Sequence, residues 1–125
     1  MAEPTPKEYL ALAKSHLKRA IAAAVDPVDW TDLSTYGFYC LEAAVMAAAS
    51  QLKLNPQKTH RGKIQAAKRL ANDHRLPDVS DLLLELNTAR KAHAYGDVEA
   101  PALDEQDLTE DLHAYVEAVN KVLGN

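Results

Sequence analysis

Four prolines, Pro27, Pro56, Pro77 and Pro101, cut this 125-residue chain into five stretches, and apolar residues recur within them at steps of three and four. A proline inside such a pattern stops a helix, because it lacks the amide proton and its ring collides with the preceding turn. No stretch alternates apolar and polar residues at the period of two that a half-buried strand requires. The chain therefore reads as five helices. Abundant Ala and only four Gly point the same way.

The first helix starts at Thr5-Pro6-Lys7-Glu8, a capping box with proline in its first turn. Tyr9, Ala13, Leu17, Ala20 and Ala24, with Leu10 and Ile21, trace its apolar stripe, and Asp26-Pro27 ends it. Asp29 caps a second helix reaching about Leu52, apolar over most of its circumference from Phe38 to Ala49 and so expected at the centre of the fold. Gly37 within it costs about 1 kcal/mol of helix propensity against Ala, which a close helix crossing would explain. Asn55-Pro56 stops this helix. Thr59 caps a third, to about Asn72, with only Ile64, Ala67, Leu70 and Ala71 as apolar content. A fourth runs from about Val79 to Tyr95, carrying Leu82, Leu83, Leu86, Ala89 and His93 on one face, with Gly96 as a left-handed C-cap. The fifth, about Glu105–Leu123, turns Leu108, Leu112, Tyr115, Val119, Val122 and Leu123 inward, and Gly124 closes it. The expected architecture is all-α: one domain over residues 1–125, built as an up-and-down helical bundle.

Composition excludes several functions. With 47% hydrophobic and 26% charged residues the chain is globular and not disordered. The lone Cys40 forbids an intramolecular disulfide, and its apolar helical setting points to a buried, inert thiol in a reducing cytoplasm. The start M-A-E-P-T-P lacks the pattern of a signal peptide, and the apolar run Ala43–Ala49 is too short for a bilayer, so a cytoplasmic protein without a membrane partner is expected. The five histidines, His16, His60, His74, His93 and His113, are scattered over different helices without a helical ligand pair, so neither a metal nor a cofactor is expected. A phosphate-binding Gly loop, a Gly-x-Ser-x-Gly elbow and a Cys–His nucleophile pattern are all missing from the sequence. The neighbouring carboxylates Asp104/Glu105 and Glu110/Asp111 point apart on a helix and read as solvation.

Two polar clusters remain. The net charge of −4 is unevenly spread, with seven Lys or Arg against one Asp between Lys53 and Arg75, and no Lys or Arg from Ala92 to Asn120. Lys58-Thr59-His60-Arg61-Gly62-Lys63 opens the third helix, whose free amides and local positive charge suit a phosphate, making Lys58, His60, Arg61 and Lys63 candidate contacts. The other cluster ends the fourth helix and gathers Asn87, Arg90, Lys91, His93, Tyr95 and Asp97. Arginine clamps phosphate, while His and Tyr move protons near neutral pH. The competing readings are solvated helix faces, cations complementing a helix dipole, and a His93 that belongs to the core or an interface.

The run Y-G-F-Y-C-L-E-A-A-V-M-A-A-A, then K-T-H-R-G-K-I, then A-R-K-A-H-A-Y-G-D resembles the HEPN superfamily (higher eukaryote and prokaryote nucleotide-binding), over about Thr35–Val98. Its small prokaryotic members are the nearest in motif. The resemblance implies a homodimer, two copies of an Arg-x(4–6)-His motif forming a metal-independent endoribonuclease, a toxin or defence role, and a minimal nucleotidyltransferase as antitoxin partner. Arg90, His93 and Tyr95 are then the catalytic candidates, with Asn87 and Lys91 as flanking nucleotide contacts. The chain departs from that motif: five residues after Arg90 stands Tyr95, and the Arg expected ahead of the His93-x-Tyr95 portion falls on Thr88. A ribonuclease with a rearranged pair and a catalytically silent binding module, partner of a nucleotidyltransferase or another protein, are the two functions carried forward.

Overall fold

The capping box at Thr5 forms, with the Thr5 hydroxyl accepting from the Glu8 amide at 3.1 Å and the Glu8 carboxylate from the Thr5 amide at 3.0 Å. Those bonds hold the Glu8 carboxyl below its ordinary pKa. They open the first of five helices in the computed structural model, which describes residues 3–96 and 100–124: α1 (Pro6–Ala23), α2 (Trp30–Gln51), α3 (His60–His74), α4 (Ser80–Tyr95) and α5 (Glu105–Val122). Among the described residues there is no strand, and no helix is long and apolar enough to cross a membrane.

α2 is the hub and packs against each of the other four helices. Asp29 caps it by accepting from the Asp32 amide, and every residue from Cys40 to Ala49 is buried. Burial pushes the Cys40 thiol up to about 12, so it is protonated and unreactive at neutral pH. At Gly37 an added Cβ would lie 3.4 Å from a Leu112 methyl and 3.7 Å from Leu86, ordinary contact with side chains of α5 and α4. The crossing therefore leaves room for one methyl group. Gly37→Ala should raise stability by up to about 1 kcal/mol, the helix-propensity difference, read as a higher denaturation midpoint.

α3 runs two residues further than its apolar content suggests, to a left-handed C-cap at Arg75 with φ 59°. α4 begins one residue after Val79 and is held from Asp78, whose Oδ1 accepts from both the Ser80 hydroxyl (2.6 Å) and the Ser80 amide (2.9 Å). Gly96 ends it in the left-handed region at φ 70°. α5 is capped by Asp104 and buries Leu108, Leu112, Tyr115, Val116 and Val119.

Two positions depart from the expected stripes. Ile21 is 43% exposed, because the buried line of α1 passes through Leu10, Ala13, Leu17 and Ala20. On α4 the buried line runs Leu83, Leu86, Ala89, Ala92, at steps of three. His93 lies about 100° around the helix from Ala92 and faces outward, so it is not a core residue.

Candidate functional site

Glu42 is the only charged residue between Asp32 and Lys53, and it is 8% exposed on the central helix. A carboxylate taken out of water needs partners. It finds them on α3: His60 Nδ1 lies 2.7 Å from Glu42 Oε2, and Lys63 Nζ lies 3.7 Å from Oε1. His60 and Lys63 can share one carboxylate because they stand three apart on a helix. Thr59, whose hydroxyl accepts from the Gly62 amide at 2.9 Å, fixes the turn that presents them. With Nδ1 directed to the carboxylate, the neutral imidazole offers Nε2 as its acceptor. The His60 side chain is half-exposed, so a ligand can reach it.

The Phe38 ring ties this pair to α4. The His60 ring meets it edge-on with centroids 5.2 Å apart, and the Arg90 guanidinium carbon sits 4.9 Å from the same centroid. Arg90 Nε donates to Asn87 Oδ1 at 3.0 Å, which fixes the plane of the guanidinium and leaves its terminal nitrogens for a ligand. Three segments widely separated in sequence thus meet around one buried ring.

The residues singled out from the sequence divide accordingly. His60, Lys63, Arg90 and Asn87 belong to this centre. His93 does not share Arg90's surroundings: its ring stacks on Trp30 at 6.5 Å with the planes 13° apart. Trp30 lies eight residues before Phe38 on α2, about 12 Å along the axis. Trp30 and His93 also line a groove of about 270 Å³, together with Ala89 and Ala100–Leu103. Tyr95 is 75% exposed, and Lys91 and Arg61 are exposed. Lys58, also exposed, pairs with Glu3 near the chain start. Asp97 lies outside the described residues. Among the described residues no three His, Cys, Asp or Glu side chains gather as a metal set.

Sequence reasoning missed Glu42, Phe38, Trp30 and a cluster on α1 and α2. In that cluster Arg19 donates to the Tyr36 hydroxyl at 3.0 Å and lies 5.2 Å from its ring centroid, while His16 stacks on Tyr36 and tilts against Tyr39. Burial, and then the charge of Arg19, holds His16 below the ordinary histidine pKa. The one available signal was the solitary carboxylate in an apolar run. Comparison with family models, with curated proteins and with solved structures yields no match to this chain.

Proposed function

We propose that this protein binds RNA or a nucleotide through its phosphates, at the centre formed by Arg90, His60 and Lys63 around Phe38 and Glu42. The observation that carries the reading is the shared ring: Phe38 contacts both Arg90 and His60, so the two basic segments serve one site. Arg90 clamps a phosphate through the terminal nitrogens that Asn87 leaves free, and Lys63 adds a second cation beside Glu42. The sequence resemblance to HEPN proteins supports the same ligand class.

Anisotropy of a labelled single-stranded RNA, followed against added salt, tests this. The logarithm of the affinity should fall linearly with that of the salt concentration, by about 0.7 per phosphate contact. Arg90→Ala and Lys63→Ala should each flatten that slope by about one contact and weaken binding at low salt, Arg90→Ala by about tenfold. Absent binding at low salt, or binding indifferent to both variants, overturns the reading.

Metal-independent cleavage is the second reading, and the Glu42–His60 contact is what favours it. His60 Nε2 would take the 2′-hydroxyl proton as the 2′ oxygen attacks phosphorus, and Arg90 would hold the charge developing on the phosphate oxygens. The 5′ oxygen leaves by taking a proton from solvent water, His60 returns its proton to solvent, and a 2′,3′-cyclic phosphate remains. His60→Ala should then abolish cleavage in EDTA while RNA stays bound. Cleavage lost in His93→Ala and kept in His60→Ala would assign the base to His93. Wild type that binds without cleaving is the silent module, for which a nucleotidyltransferase is the proposed partner. The homodimer belongs to the same proposal: the HEPN resemblance implies it, and His93 and Tyr95 stand exposed near the end of α4, where a second copy can reach them. A monomer in light scattering at micromolar concentration removes it.

A further inference from the structure

Beside the phosphate centre, α1 and α2 enclose a small groove of about 150 Å³ lined by Tyr9, Leu12, His16, Tyr39, Met46 and the paired Glu42 and Lys63, with Ala43. Its walls are flat rings. Tyr39 and His16 lie with centroids 5.5 Å apart and planes 54° apart, and Tyr39 is 38% exposed, so part of its ring is within reach of a ligand. One end of the groove is the Glu42–Lys63 ion pair, which is also the edge of the phosphate centre. The two sites are therefore continuous.

The charges decide which part of a ligand enters. Among the described residues Lys63 is the only cation lining the groove and stands at its Glu42 end, toward Arg90, so the anionic end of a ligand stays with Lys63 and Arg90 and the uncharged end comes in. Oε1 of Glu42, the oxygen not committed to His60, can accept from an amino group on that end. Among the described residues, His16 Nδ1 is a buried polar atom with no hydrogen-bond partner, and the lowered pKa of His16, whose ring stacks on Tyr36, favours the neutral form at this wall of the groove. Aromatic faces beside a cation that tracks a phosphate are the means by which proteins hold unpaired bases.

We propose that the α1–α2 groove holds one unpaired nucleobase, stacked on Tyr39 and bordered by His16, of the ligand whose phosphates sit at Arg90, His60 and Lys63. This rests on the phosphate-binding reading above. The base is one that carries an exocyclic amino group, and adenine is the natural probe.

The full-length protein is titrated with AMP, with hexaadenylate RNA and with inorganic tripolyphosphate, which has no base. Tyr39→Ala should weaken the adenine ligands about five- to a hundredfold and leave tripolyphosphate unchanged, while Tyr39→Phe retains wild-type affinity for all three. In the wild type, NMR should show the Tyr39 and His16 ring resonances moving with adenine ligands and still with tripolyphosphate, a readout that needs no variant to fold. A response to AMP identifies a free nucleotide as sufficient, and a response to hexaadenylate alone identifies a strand. Tyr39→Ala binding hexaadenylate like the wild type, or ring resonances that ignore bound adenine ligands, overturns the base subsite and leaves the phosphate site standing. Wild type that binds none of the three probes removes both.

Discussion

Phe38→Ala is expected to cost about 3–5 kcal/mol of folding stability and to abolish RNA or nucleotide binding at the proposed site. Phe38 is among the largest side chains with almost no exposure, at 1%. Truncating it removes transfer energy and leaves a cavity that α2, packed against four helices, can close only in part. The same ring is the surface on which Arg90 and His60 rest, so its loss removes the support that the two side chains share. Phe38→Leu separates the two effects. It keeps most of the volume, so the packing cost should stay under about 1.5 kcal/mol, with the cation–π contact, about 0.5–1 kcal/mol, lost in addition. A folded Phe38→Leu protein that still binds RNA as the wild type does would show that the ring has no part in placing Arg90 and His60. Denaturant unfolding, read with RNA titration on the same samples, measures both quantities.

The five helices were legible because their boundaries are set by local chemistry. Thr5, Asp29, Thr59 and Asp104 act on amides three residues away, and Gly96 reaches back to Ala92. A window of a few residues contains the whole interaction. The central position of α2 was legible for a related reason, since a helix apolar on every side must be surrounded. The start of α4 was less so: Asp78 holds it through Ser80, one step outside the usual N-cap geometry.

The site was only half legible, and distance in sequence is the reason. Arg90, His60 and Lys63 could be nominated from residue type and helix position. That Arg90 and His60 meet on Phe38 depends on how α3 and α4 lie against α2, which no local spacing encodes. Glu42 is the instructive omission. A lone carboxylate inside an apolar helix must acquire a hydrogen-bonding partner, but its partner His60 stands 18 residues on, beyond any helical period. His93 is the converse case. Its place beside Leu82, Leu86 and Ala89 made burial the competing reading, whereas a steps-of-three stripe drifts around the helix and leaves residue 93 outside.

Gly62→Ala should do the opposite of Gly37→Ala, although both replace a buried helical glycine by the better helix former. At Gly62 an added Cβ would stand 2.3 Å from the Gln57 carbonyl oxygen and 2.9 Å from its carbonyl carbon. These are backbone atoms and cannot rotate aside, so either the loop before α3 or the first turn of α3 must move. Overpacking of this kind costs about 1–3 kcal/mol, which outweighs the roughly 1 kcal/mol of propensity that Ala gains. The displaced turn is the one that carries His60 and Lys63, and opening a 2.3 Å approach to ordinary contact moves it by about 0.7 Å or more, enough to carry a 2.7 Å contact with Glu42 past good hydrogen-bond distance. Gly62→Ala should therefore lower the denaturation midpoint, shift the His60 imidazole resonances and weaken phosphate binding together, while Gly37→Ala changes only the first, in the other direction. Gly62→Ala that matches the wild type in stability and in the His60 resonances would mean that α3 does not approach Gln57 this closely, and the Glu42–His60 geometry would lose its support.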